Sequence, residues 1–96
     1  MAMDEKHGIS WLSQKVLEGK VMNPLDETDV AIIKGLANNG MIVSKAMLAA
    51  KVSRRTMYKR IEQIRQKTGC DPQDFFGLYK LFVFVIKTER KKDGKA

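Results

Sequence analysis

Ser44-Lys-Ala-Met-Leu-Ala-Ala-Lys-Val-Ser-Arg-Arg-Thr-Met-Tyr-Lys-Arg-Ile-Glu-Gln-Ile64 is the stretch whose reading decides the fold. Ser44 is a candidate cap for a short helix over Lys45 to Ala50, and Ser53 caps a longer one after a tight turn at Lys51-Val52. In the longer helix Met57, Ile61 and Ile64 recur at spacings of four and three, so one face is apolar and its N-terminal outward face is polar. Short helix, tight turn and basic helix together predict a helix-turn-helix. The small residues Ala46, Ala49 and Ala50 allow two helices to approach closely, and Val52 plugs the corner from the turn.

Charge follows the same stretch. From Lys51 to Lys67 seven basic residues face the single acid Glu62, a net of +6, and the segment from Lys87 onward adds five basic residues against Glu89 and Asp93, a net of +3. With a total of +7, the rest of the chain sums to −2. Positive charge gathered on one helix and one tail is the footprint of a polyanion binder. Arg54 and Arg55 are the candidate readers, because a guanidinium donates two hydrogen bonds to guanine in the major groove. Ser53, Tyr58 and Lys59 complete the reading face. Ser44, Lys45 and Thr56 are candidate phosphate contacts that fix register, and Lys51 and Arg65 add salt-sensitive attraction.

Working outward, Asp26, Glu27 and Asp29 mark the acidic first turn of a preceding helix with Val30, Ile33 and Ala37 on one face, stopped at Asn38-Asn39-Gly40. Before it, Ile9 to about Val21 reads as a short amphipathic helix that Ser10 can cap, broken at Asn23-Pro24 and preceded by a flexible leader over residues 1–8. After the basic helix, Thr68-Gly69 is a stop, and Asp71-Pro72 restarts a helix with Asp71 as cap and Asp74 reaching back toward it. Phe75 to Ile86 is almost continuously apolar; its last five residues, 82–86, suit a helix or a short strand. The tail, Lys87 to Ala96, reads as disordered. The expectation is therefore an all-α domain of four to five short helices, with a leader and helix over 1–24, the DNA-binding unit over 25–86 and a basic tail over 87–96.

Residues Val52 to Leu81 resemble the C-terminal helix-turn-helix of the PucR-type (purine catabolism) and sugar-diacid regulators, itself similar to that of the Fis DNA-bending protein. Arg54, Thr56, Met57, Arg60, Ile61, Glu62, Ile64, Thr68, Gly69, Asp71 and Asp74 match that pattern in order. The likeness covers about two-thirds of the chain when the helix from Asp26 is counted, and it is specific only in the second half. It implies a DNA-binding regulator. Met47 stands where such motifs place alanine, and Cys70 replaces a usual leucine, most simply as a small buried hydrophobe. Some 25 residues precede the module, so purine or sugar sensing does not carry over.

One cysteine and one histidine build neither an intramolecular disulfide nor a zinc site, and no apolar run reaches membrane-span length. His7 reads as solvent-exposed. No catalytic constellation is present, so no enzyme activity, cofactor, metal or small-molecule effector is expected, and the expected location is the cytoplasm. The expected partners are double-stranded DNA and a second copy of the chain, with Trp11, Leu12, Phe76, Tyr79, Phe82, Val83 and Ile86 as dimer residues. The competing expectations are a low-specificity architectural protein like Fis and a protein-interaction module docking through 75–86. RNA binding lacks an interleaved aromatic platform.

Overall fold

Asp26 shows how closely the local rules are obeyed at the centre of the molecule. Its carboxylate accepts the Asp29 N–H at 2.9 Å while the Asp29 carboxylate accepts the Asp26 N–H at 3.3 Å, a reciprocal capping box. In the computed structural model, which describes the backbone of residues 9–94 and the side chains of residues 12–90, five helices follow one another. They are α1 (Ile9–Leu17), α2 (Glu27–Asn38), α3 (Val43–Ala50), α4 (Arg54–Thr68) and α5 (Phe75–Gly94). The protein is all-helical, and among the described residues there is no strand.

The helix α2 is the hub. It packs against α3, α4 and α5, and α1 lies along α5. Ile32, Ile33 and Leu36 of α2, Met57 and Ile64 of α4, and Leu81, Phe84 and Val85 of α5 are all essentially without solvent exposure. Each such side chain contributes about 1.5–3 kcal/mol of burial. Gly35 and Ala46 permit the α2–α3 contact: a Cβ on Gly35 would lie 3.2 Å from the Ala46 carbonyl oxygen. The small residue of α3 thus serves its approach to α2, while Ala49 stays exposed. Val52, Met47 and Ala50 are half-buried against the core.

Several boundaries differ from the sequence reading, each for a physical reason. The helix α1 ends at Leu17, four residues short of Val21, which is exposed, and Ser10 lies inside the helix. The leader, residues 1–8, lies outside the described residues. Ser44 is not a cap: α3 starts at Val43 behind Ile42, which makes no side-chain capping bond. Ser53 is one, accepting the Thr56 N–H at 3.2 Å. Gly69 ends α4 at φ +75°.

The cap of α5 moves from Asp71 to Asp74. The Asp71 carboxylate instead closes a turn by accepting the Gln73 N–H at 2.9 Å, around a buried Pro72. Asp74 accepts the Gly77 N–H at 3.0 Å. Gly77 tolerates no side chain, since a Cβ there would lie 2.3 Å from the Asp71 carbonyl oxygen.

Residues 82–86 are helical, because Leu81, Phe84, Val85 and Thr88 face the core at helical spacing. The segment expected to be a disordered tail is also helical as far as Gly94. Thr88 is buried with its hydroxyl donating to the Phe84 and Val85 carbonyls, and Glu89 pairs with Lys34 of α2 at 2.8 Å. The domain boundary expected after Ile86 therefore falls within one continuous helix, which is anchored at Thr88 and Glu89 by contacts that the polar sequence did not advertise. No helix among the described residues is long and apolar enough to cross a membrane.

Candidate nucleic-acid interface

The α3–turn–α4 unit carries the expected readers. Lys51 closes α3 in the left-handed region, at φ 59° and ψ 45°, with its N–H bonded to the Leu48 carbonyl at 3.2 Å. Val52 N–H bonds to the Met47 carbonyl at 3.1 Å, so the turn is tied back to the helix before it. Ser53 then caps α4. At 100° per residue, Arg55 and Lys59 lie opposite Met57, Ile61 and Ile64, Tyr58 lies to the side, and Arg54, in line with Ile61, stands clear of the core in the first turn of α4. All four are exposed, whereas the three apolar residues are buried. Ser44, Lys45 and Lys51 are exposed beside them, and Ser53 is exposed at the cap. Thr56 is half-buried and its hydroxyl is bonded to that of Ser53 at 3.1 Å, which leaves it less able to reach outward.

The basic residues of α4 divide into two groups. Toward the C-terminal half each cation is engaged within the protein. Arg60 pairs with Asp26 at 2.7 Å and with Asp29 at 3.3 Å, and Lys67 donates to Asp29 at 2.8 Å and to the Pro24 carbonyl at 2.8 Å. Asp29 is fully buried, so its carboxylate is desolvated and compensated by two cations from one flank of α4. Arg65 is held by Glu62 at 2.6 Å. It lies roughly 16 Å along the helix from Arg54 at 1.5 Å per residue. Arg65, expected to add salt-sensitive attraction, thus stands apart from the readers and is held by an acid of its own helix. The Glu62 carboxyl is lowered from its ordinary value by the Arg65 hydrogen bonds, and the Arg65 guanidinium is raised in return.

At the N-terminal end, Lys51, Arg54, Arg55 and Lys59 make no ion pair among the described residues. The first turn of α4 carries no acid. Two arginines therefore sit at the positive end of the helix dipole, where cations are disfavoured by about 0.3–1 kcal/mol each. An anion docked there would relieve both terms and meet unbonded N–H groups as well.

Sequence reasoning missed the clamp of Asp29, Arg60 and Lys67, although a signal existed. Asp29 sits three and four residues before Ile32 and Ile33, on the apolar stripe of α2, and Arg60 and Lys67 are seven apart on one flank of α4. It also missed Leu48, an 80% exposed leucine on α3, one turn after Ser44 and Lys45. Of the expected dimer residues, Phe76 and Tyr79 are exposed, and Val83 and Ile86 are half-buried. Leu12 and Phe82 turn partly inward onto the core, and the side chain of Trp11 lies outside those described. Cys70 is buried at the end of α4, with its N–H bonded to the Thr68 hydroxyl at 3.1 Å. No protein-family model, curated protein or solved structure matches the chain.

Proposed function

We propose that this protein is a cytosolic, sequence-reading DNA-binding protein of the transcription-regulator kind, in which α3 and α4 form a helix-turn-helix and α4 enters the major groove. The observation that carries this reading is the set of unpaired cations at the start of α4, next to a turn that holds Lys51 at positive φ. Arg54 and Arg55 read base edges; Tyr58 and Lys59, one turn on, reach a base or the flanking phosphate. Lys45, Ser44 and Lys51 bind the backbone from the α3 side, where Leu48 supplies apolar contact to sugar or a thymine methyl group. Arg60 and Lys67 act from behind, holding α4 to α2 through Asp29 so that the reading face is rigid.

The test is selection of bound fragments from a random duplex pool, followed by fluorescence anisotropy on the winner and on bulk DNA. A specific regulator prefers its site by roughly 1,000-fold or more. A ratio near unity with a steep salt dependence assigns the Fis-like architectural role instead. Absence of binding to any duplex at low salt sinks both.

A further inference from the structure

The outward face of α5 carries an apolar seam that, among the described residues, is open at its N-terminal half and half-buried at Val83 and Ile86. Phe76, Tyr79, Val83 and Ile86 recur at spacings of three, four and three, the period of a helix–helix interface. Phe75 and Phe82 flank the seam. Phe75, Phe76 and Tyr79 are 65%, 68% and 62% exposed, and the first two rings pack edge to face, with centroids 5.3 Å apart. An open apolar groove of about 510 Å³ between this face and the end of α2, floored by Ala37, Met41 and Leu78, continues the surface sideways.

We propose that a second copy of the chain docks on this seam with the two α5 helices antiparallel. The proposal concerns a face distinct from the reading face of α4 and does not rest on DNA binding. Two features of the seam specify both the occupant and its direction. The first is shape. The aromatic side chains occupy the N-terminal half and the smaller aliphatic ones the C-terminal half. A two-fold axis near Leu81 sets Phe76 against Ile86 and Tyr79 against Val83 of the other copy, large on small at every step. Parallel pairing would set ring against ring and leave the aliphatic half loose.

The second feature is charge. Asp71 and Asp74 stand at the N-terminal end of the seam, and the exposed Lys87 and Arg90 at the other end. The same axis brings each acidic end onto the basic end of the other copy, with the helix dipoles opposed. Parallel pairing would bring Lys87 and Arg90 onto their own counterparts. The area is sufficient as well. Three aromatic side chains of about 150–250 Å² each, two-thirds exposed, offer roughly 400 Å² per copy. With Phe82, Val83 and Ile86 added, the two copies together reach about 1,000 Å², where specific interfaces begin.

Sedimentation equilibrium of the full chain without DNA tests this. A dimer that dissociates on dilution is expected. Replacing both Phe76→Glu and Tyr79→Glu is expected to weaken it about 100-fold or more, with helical content retained and the melting temperature falling only to that of the diluted wild-type monomer, because both side chains are already exposed. Lys87→Glu reads the direction. In the antiparallel seam it sets glutamate against Asp74 and weakens association several-fold, and added salt weakens the wild-type dimer. Three results overturn the proposal: a monomer at every soluble concentration, a dimer indifferent to the double substitution, or a dimer that Lys87→Glu leaves unchanged or tightens.

Discussion

The N-termini of α2 and α4 lie in one small protein and follow opposite rules. At α2, Asp26 closes a capping box, Glu27 and Asp29 complement the dipole, and the backbone is unstrained. At α4, Ser53 caps with a single backbone bond, the first turn holds Arg54 and Arg55 with no acid, and the residue ending the previous helix is a lysine at φ 59° where glycine would be unstrained. Both helices pack on the same core, so general demands of folding do not explain the difference. The first end is arranged for stability, whereas at the second no acid among the described residues pairs with Arg54 or Arg55, and in the proposed function an anion from outside the protein fills that place. A solvated basic face, the commonplace explanation for such a helix, accounts for exposed cations. It does not account for their gathering at the unfavourable end while every cation toward the other end is paired.

The comparison breaks most visibly at the readers. Arg54→Ala with Arg55→Ala is expected to reduce affinity for the selected site roughly 100-fold or more, about 3 kcal/mol, and to leave the melting temperature unchanged or slightly raised. Unchanged anisotropy titrations would remove the anion-binding explanation. At the other end, Asp29→Ala strips the clamp and the capping box together. A loss of about 3 kcal/mol in urea unfolding is expected, the lower end for a broken buried pair, because Arg60 and Lys67 keep about a third of their side-chain surface in water.

Lys51→Gly sharpens the contrast, because the two readouts move in opposite directions. Relief of the left-handed conformation is expected to stabilise the fold by about 1 kcal/mol, while affinity falls and the salt slope of DNA binding drops by about one. A lysine kept only by chance would show the first effect without the second.

The smallest effect is one of pH. The Asp26 carboxyl is held below its ordinary value, first by the Asp29 N–H and then by Arg60. A carboxyl lowered in the folded state stabilises above its unfolded value, near about pH 4, and that stabilisation is lost as pH falls through the folded value. Urea midpoints measured downward from neutrality are therefore expected to decline below about pH 4, and Asp26→Asn to lessen the decline. Solvent screening keeps the change small, since the side chain is 55% exposed.

Much of this was legible along the chain because the signals are local. Ser53, Gly69 and the stripe of Met57, Ile61 and Ile64 announce α4, and Asp26 announces α2. The misread places are those where a distant residue decides. Asp71 and Asp74 are both competent caps; the buried Pro72 and the contact of Gly77 with Asp71 select the second. Nothing within Lys87 to Gly94 shows that Thr88 will be buried or that Glu89 will meet Lys34, so a helix extended by tertiary contacts looks like a polar tail.

For the stretch from Ser44 to Ile64, the sequence alone determined two helices with a tight turn between them, an apolar face inward and a basic face outward, because caps and periodicity act within a few residues. Only the tertiary structure decided which of the basic residues of α4 are spent. Arg60 and Lys67 are neutralised by Asp29, some thirty or more positions earlier in the chain, while Arg54 and Arg55 are left unpaired. Ion pairing depends on distance in space, and spacing along the chain does not encode it until α2 and α4 are packed together.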